Sequence, residues 1–323
     1  MPIQEANCND FTACLLEIEE FMTNENLAVV PRPKSLEWFE DRIPIRGCRF
    51  DLATIKEVYR ELSRINAEYG QRLVADLVRD EDMSDEEWDN HKKQVHDDAF
   101  RLTVSIAGHR DQMVYAEDAD IFTSQNLPHP IKSIYFNNIT AFRRNANGNN
   151  PPNRIEVTLD FDKPAMLDPN PLVSEATKNG SEVTINADEI SYFRAVQQVI
   201  HNKLTSRRTG YRFLHYKFIY DIGLWLLALP FALIVSTHYM DKFLPLDGDH
   251  ASLRWAFFIY SVGCLGISYR LLTSYTKWAF PVNVLSENKD RALKHRLIIG
   301  GIVAWVLYKI ADTMYELVIS SVV

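Results

Sequence analysis

Residues 218–239 read FIYDIGLWLLALPFALIVSTHY, and this stretch decides the fold. It holds one acid, Asp221, and no Lys or Arg. A helix of about 20 such residues covers about 30 Å of hydrocarbon at 1.5 Å per residue. Two stretches of the same kind follow at 255–275 and 297–318, and almost none precedes them. The pattern predicts a large polar body followed by an all-α bundle of three transmembrane helices.

Charge divides the chain in the same place. Residues 1–200 carry 21 basic and 35 acidic side chains, a net of −14, and residues 201–323 carry 14 and 8, a net of +6. An acidic body repels nucleic acid, which excludes it as a partner. The first 30 residues lack a basic segment followed by an apolar run, so no secretory signal is read and the body is expected to stay in the cytoplasm. Cys8, Cys14, Cys48 and Cys264 have no metal-ligand spacing and are expected as thiols in a reducing compartment.

Loop charge sets an orientation. Lys203, Arg207, Arg208, Arg212 and Lys217 precede the first span, and Lys277, Lys289, Arg291, Lys294 and Arg296 dominate the connection between the second and third. Asp241, Asp247 and Asp249 dominate the first connection. Positive charge in short loops stays inside, so the N-terminus is expected in the cytoplasm and Val323 on the opposite side. Tyr216, Tyr220, Tyr275, Trp278 and Phe280 mark the inner headgroup zone, and Tyr239, Phe243 and Trp255 the outer one. Asn138-Ile-Thr140 and Asn179-Gly-Ser181 match the glycosylation pattern, a coincidence on the cytoplasmic reading.

The body reads as α+β. Helical spacing appears over 9–23, and Pro31, Pro33 and Pro44 make 24–50 mostly loop. A long amphipathic helix follows through Leu52, Ile55, Val58, Leu62, Ile65, Tyr69, Leu73 and Leu77, weakened by Gly70 at about 1 kcal/mol. Ser84-Asp-Glu-Glu87 is a capping box that opens a helix to about Ala99, although Asp97 and Asp98 oppose its dipole. The period then changes to two, with strands expected over 100–106, 112–117, 131–136, 155–161 and 182–185. Residues 145–152 are an exposed loop. A final helix, capped by Asn186 and Glu189, is expected from Ala187 to about Thr205 and leads toward the first span. The organisation is a helical region at 1–99, an antiparallel β domain with a closing helix at 100–206, a basic linker at 207–217 and the spans at 218–323. The β domain is a small antiparallel sheet or a barrel. A pleckstrin-homology-like barrel has this order of elements, a likeness of shape only.

Candidate sites are few. Asp160 and Asp162 fall on the polar face of their strand and read as solvated, and His91, His96 and His109 are too scattered to form a ligand pair. No phosphate-loop, nucleophile-elbow, zinc-protease or dinucleotide fingerprint occurs, and no catalytic, metal or cofactor residue is assigned. Charges within the spans are costly and face a partner or water. Asp221 and Arg270 fall at similar depth on antiparallel helices and are expected to pair, with Lys217 as the competing partner of Asp221. Lys309, Asp312, Glu316 and Ser320 share one face of the third span. That face either emerges into water or lines an aqueous lumen shared between copies. The juxtamembrane group Lys203, Arg207, Arg208, Arg212 and Lys217 could contact anionic lipid or serve topology alone. Pro230 is expected to kink the first span, and Gly300, Ala304, Cys264 and Ser268 allow close helix contact.

The function expected from these features is a membrane-anchored binding or sensing module, with the bilayer, further copies of itself and an unidentified cytoplasmic protein or small ligand as partners. Its output would be an oligomeric pore or membrane effector. The rival readings are a purely structural anchor and a membrane-associated enzyme with its site in the acidic body.

Overall fold

The structure, a computed structural model, describes residues 38–79, 83–109, 112–167, 175–244, 251–288 and 292–322. The helical pattern at 9–23 lies outside the described residues.

Strand β1 (Phe39–Pro44) and the two-residue β2 (Arg49–Phe50) lead into helix α1 (Leu52–Ala75). Asp51 opens α1 by accepting the Thr54 N–H at 2.6 Å, and the Thr54 hydroxyl, followed by this N–H, holds its carboxyl below the usual range. The α1 pattern then buries Ile55, Val58, Tyr59, Leu62, Tyr69 and Leu73 on one face. Gly70 belongs to that face: a Cβ there would fall on the Phe100 ring. The residue that weakens the helix is therefore what lets Phe100 approach it.

Helix α2 (Asp85–Ala99) starts at the expected capping box, with Ser84 accepting from Glu87 N–H and Glu87 accepting from Ser84 N–H. Of the acids at its far end, Asp98 is answered by Arg101, which donates to its Oδ1 at 2.6 Å and to the Asp97 backbone carbonyl at 2.7 Å.

Five further strands follow, β3 (Thr103–Gly108), β4 (Met113–Ala116), β5 (Ile131–Asn137), β6 (Arg154–Asp160) and β7 (Glu182–Ala187), with the short helix α3 (Ile139–Asn145) between β5 and β6. With β1 they form one six-stranded sheet in the order β1-β7-β6-β5-β3-β4, every pair antiparallel. The sheet is open, with β1 and β4 at its edges, so the barrel alternative is not realised. Its inner face places Val104, Ile106, Ile134, Phe136, Ile155, Val157, Leu159, Val183 and Ile185 against α1 and α4 (Ile190–Ile200). The outer face is polar and carries Glu40, Arg42, Glu156, Thr158 and Glu182.

Two readings in this part are corrected. β1 lies within the stretch read as loop, because an edge strand accepts Pro44 at its end and charges along its open side. Helix α4 starts at Ile190, not Ala187, because Asn186 and Ala187 remain paired to β1 in strand β7.

A buried polar network ties the layers together. Asn138 donates to Asn66 Oδ1 at 2.8 Å, Tyr192 donates to the same oxygen at 3.2 Å, and Asn66 donates to Phe100 O at 2.6 Å. Asn138 is 2% exposed, so the first glycosylation pattern is closed to a transferase in the folded body.

Beyond α4 the chain makes one π turn at His201–Thr205 and a 3-10 turn at Arg212–His215 before α5 (Ile219–Phe243). The segment between α4 and α5 is thus broken into turns, and Phe218 enters α5 from left-handed backbone at φ 66°. Helix α6 (Ala251–Ala279), the short β8 (Val284–Leu285) and α7 (Leu293–Val322) complete the chain. Among the described residues two helices, α5 and α6, are long and apolar enough to cross a membrane. The side chains of α7 are described only in part.

Candidate functional site: the seam between sheet and long helices

One end of the sheet faces the long helices. It comprises the turn after β1, the start of β5, the end of β6 and the start of β7. The connection between α6 and α7 folds back onto this lower rim and becomes part of the body.

Asn283 is the centre of that contact and is 1% exposed. Its Oδ1 accepts from Cys48 N–H at 3.0 Å, and its NH2 reaches Ile45 O at 2.9 Å, Ser181 Oγ at 2.8 Å and Asn179 Oδ1 at 3.1 Å. β8 pairs in parallel with β2, and Leu285 enters the core at 1% exposure. Glu287 accepts from Leu52 N–H at 2.8 Å, so a second carboxylate besides Asp51 sits at the positive end of α1. Asn288 imitates a neighbouring strand: it accepts from Ile131 N–H at 2.9 Å and donates to Ile131 O at 2.8 Å.

The segment before α5 enters the same seam from the other side. Arg49 N–H donates to Arg207 O at 3.0 Å and Thr209 N–H to Gly47 O at 2.6 Å. Gly47 turns the chain at φ 71°, and the Arg212 stem lies where a Cβ would point. His215 is 6% exposed between Thr177 Oγ1 at 3.0 Å and Phe280 O at 2.7 Å. Burial pushes its imidazole down to about 4, with the Lys277 charge acting in the same direction and the Phe280 bond opposing. A neutral ring fits both contacts, Nε2–H donating to Phe280 O and Nδ1 accepting from Thr177. Both chain crossings between body and long helices are therefore fastened to one rim.

The juxtamembrane residues divide. Lys203 turns to α1 and pairs with Glu57 at 2.7 Å, and Arg207 pairs with Asp51 at 3.3 Å. Arg208 is exposed and bridges Cys48 through its backbone. Arg212 lies over Tyr216 at 5.3 Å and Lys217 over Phe218 at 4.8 Å.

Within the long helices, Tyr269 of α6 donates to Tyr220 O of α5 at 3.0 Å, and the two rings lie 5.2 Å apart. Their sequence neighbours are Arg270 and Asp221. The two residues thus lie at one level of the α5–α6 pair. A π turn at Leu224–Ala228 follows in α5, immediately before Pro230. At the other end of the pair, Arg254 Nη2 of α6 meets Asp241 Oδ1 of α5 at 2.8 Å, an ion pair between the two helix ends. On α7, Lys309 meets Asp312 at 3.1 Å within one helix face. The side chains of Glu316 and Ser320 lie outside the described residues.

A groove of about 720 Å³ opens between α1 and α4, lined among others by Glu61, Arg64, Glu68, Arg72, Tyr192 and Lys203. Its cations are engaged: Arg64 with Glu68, Arg72 with Glu189 and Lys203 with Glu57. Asp160 serves the β6–β7 loops, accepting from Gly180 N–H at 3.1 Å and Asp162 N–H at 2.9 Å. His96 bonds Ala67 O at 3.0 Å. Among the described residues no group of three or more His, Cys, Asp or Glu is placed to hold a metal.

Asn283, Glu287, Asn288 and His215 were not singled out from sequence. The available signal was Val282, Val284 and Leu285 among polar neighbours in a short basic connection, since apolar residues in such a loop need a surface to cover them. Compared with known proteins, the chain matches no family model, no curated protein and no solved structure, so its site is read from its own geometry.

Proposed function

We propose that the chain is a membrane-anchored binding or sensing module whose cytoplasmic body is coupled mechanically to three spans, α5, α6 and α7. The observation that carries the reading is Asn283. A buried amide that bonds the β1–β2 turn and the start of β7 from the α6–α7 connection links the body directly to the ends of two long helices. A tether has no need of such a contact, since a flexible linker would hold the body near the membrane equally well. The bond set also supports the charge-based topology, because it puts the basic connection and the body on one side. The groove between α1 and α4 is the place we assign to the ligand, and an oligomeric assembly of spans is the output.

The test measures rigidity. Spin labels at position 149 in the body and position 257 in α6 are read by pulsed electron resonance in lipid nanodiscs. The wild type gives one narrow distance distribution, and Asn283→Ala gives a broad one. Equal widths in the two proteins would remove the coupling and leave an anchor. The anchor reading draws on one observation of its own, the Lys309–Asp312 pair, which neutralises two charges within α7. It expects Asp312→Leu and Glu316→Leu to leave every ion flux unchanged, and the pore reading expects a changed flux.

A further inference from the structure

The connection after β6 carries two adjacent exposed apolar residues. Met166 is 41% exposed and Leu167 is 59% exposed. Most exposed apolar side chains on the body, such as Val78 and Ile190, stand singly and need no explanation. This pair differs in its place. Four residues before Leu167, the Lys163 ammonium lies 4.9 Å from the centre of the Trp278 ring. Trp278 belongs to the last turn of α6, stacks on Tyr275 at 5.9 Å and meets His295 of α7 at 5.1 Å. The loop is therefore held beside the ring cluster where α6 leaves its apolar stretch.

The other side of the rim shows the same composition. Phe213, Tyr216 and Phe218 are about half exposed, and Arg212 and Lys217 lie over the last two rings. Aromatic rings with a cation lying on them suit the headgroup zone, where an apolar face and a charged tip are both satisfied.

We infer that residues 163–167 form a membrane-contact loop, with Met166 and Leu167 seated in the headgroup boundary beside Trp278. The occupant of this surface is a lipid bilayer, because the Lys163–Trp278 contact places the loop at the end of α6, a helix long and apolar enough to cross a membrane. The inference rests on the proposed membrane reading and adds a contact made by the body itself. With it the rim touches the bilayer on two sides of the α5–α6 pair, which restrains the tilt of the sheet.

The test uses the full chain with its cysteines replaced by alanine and one environment-sensitive label on a new cysteine at 149, 167, 213 or 259. The protein is reconstituted in vesicles of phosphatidylcholine and phosphatidylglycerol that carry nitroxide lipids at shallow or deep positions. Interfacial segments seat apolar side chains about 5–10 Å into the boundary. The label at 167 should therefore lose emission to shallow nitroxide as fully as the label at 213, whereas the label at 149 keeps its emission. A label at 167 that behaves like the label at 149 overturns the inference, and so does one shielded from water but untouched by either nitroxide, which would mean a protein neighbour. The label at 259 in α6 separates the two levels: quenching there by deep nitroxide upholds the spans, and its failure would bring down the membrane reading itself. Position 166 repeats the measurement on an independent substitution, and Leu167→Asp with the label at 166 should lose the quenching.

Discussion

Ile155 in β6 is wholly buried, whereas Ile259 in α6 is 67% exposed, and the contrast runs through the two regions they represent. In the sheet body every second strand residue points into a core shared with α1 and α4, and polar groups such as Asn66 and Asn138 find partners inside. In the long helices Trp225, Leu226, Ile259, Tyr260 and Trp305 point outward. The body covers its apolar residues with its own chain, while the long helices leave many of theirs facing outward. The seam at Asn283 is where these two kinds of surface meet.

The sharpest way to break this contrast is to shorten the same side chain on both sides. Ile155→Ala should lower the stability of the body by about 4 kcal/mol through lost burial and an unfilled cavity. Ile259→Ala should leave its unfolding midpoint unchanged. Chemical denaturation followed by the near-ultraviolet signal of the body checks both, and equal losses would mean that α6 is packed like a core helix.

Acid should act next, and on the seam. The His215 imidazole is lowered from 6.5 to about 4 by burial, so the unfolded chain binds a proton that the folded chain refuses. Stability is therefore complete above about pH 6.5 and falls as pH drops through the window down to about 4, by at most about 3 kcal/mol. His215→Gln should flatten that slope, read as melting temperature against pH. A slope that the variant retains would assign the acid sensitivity elsewhere.

Smaller effects sharpen the description of the body. Gly70→Ala adds a Cβ on the Phe100 ring and should destabilise by about 2 kcal/mol, despite the better helix propensity of Ala. If Ala stabilises instead, the α1–Phe100 contact is looser than described. Ser84→Ala removes the cap of α2 and should cost about 1 kcal/mol, visible as faster amide exchange confined to the first turn of that helix.

Much of the body was legible because its signals are local. The period change at Leu102, the capping box at Ser84 and the alternation from Ile155 to Leu159 each lie within a few residues. β1 was missed because Glu40, Asp41 and Arg42 read as loop, although an edge strand keeps one side in solvent and accepts them. The start of α4 was misplaced because strand pairing of Asn186 and Ala187 overrides a plausible cap. The seam was not legible, since its amide bonds join residues 235 positions apart and its carriers are ordinary Asn and Glu. A loop folded against a sheet also offers no ruler such as the even rise of a helix gives.

The distance in sequence between Cys48 and Asn283 also bears on the order of synthesis. Domains begin to fold as they leave the ribosome, yet β2 cannot gain its parallel partner, nor the Leu52 amide its carboxylate, until the chain beyond α6 has emerged. The nascent body therefore keeps its lower rim open while α5 and α6 are synthesised, and completion of its fold reports that both helices have left the ribosome.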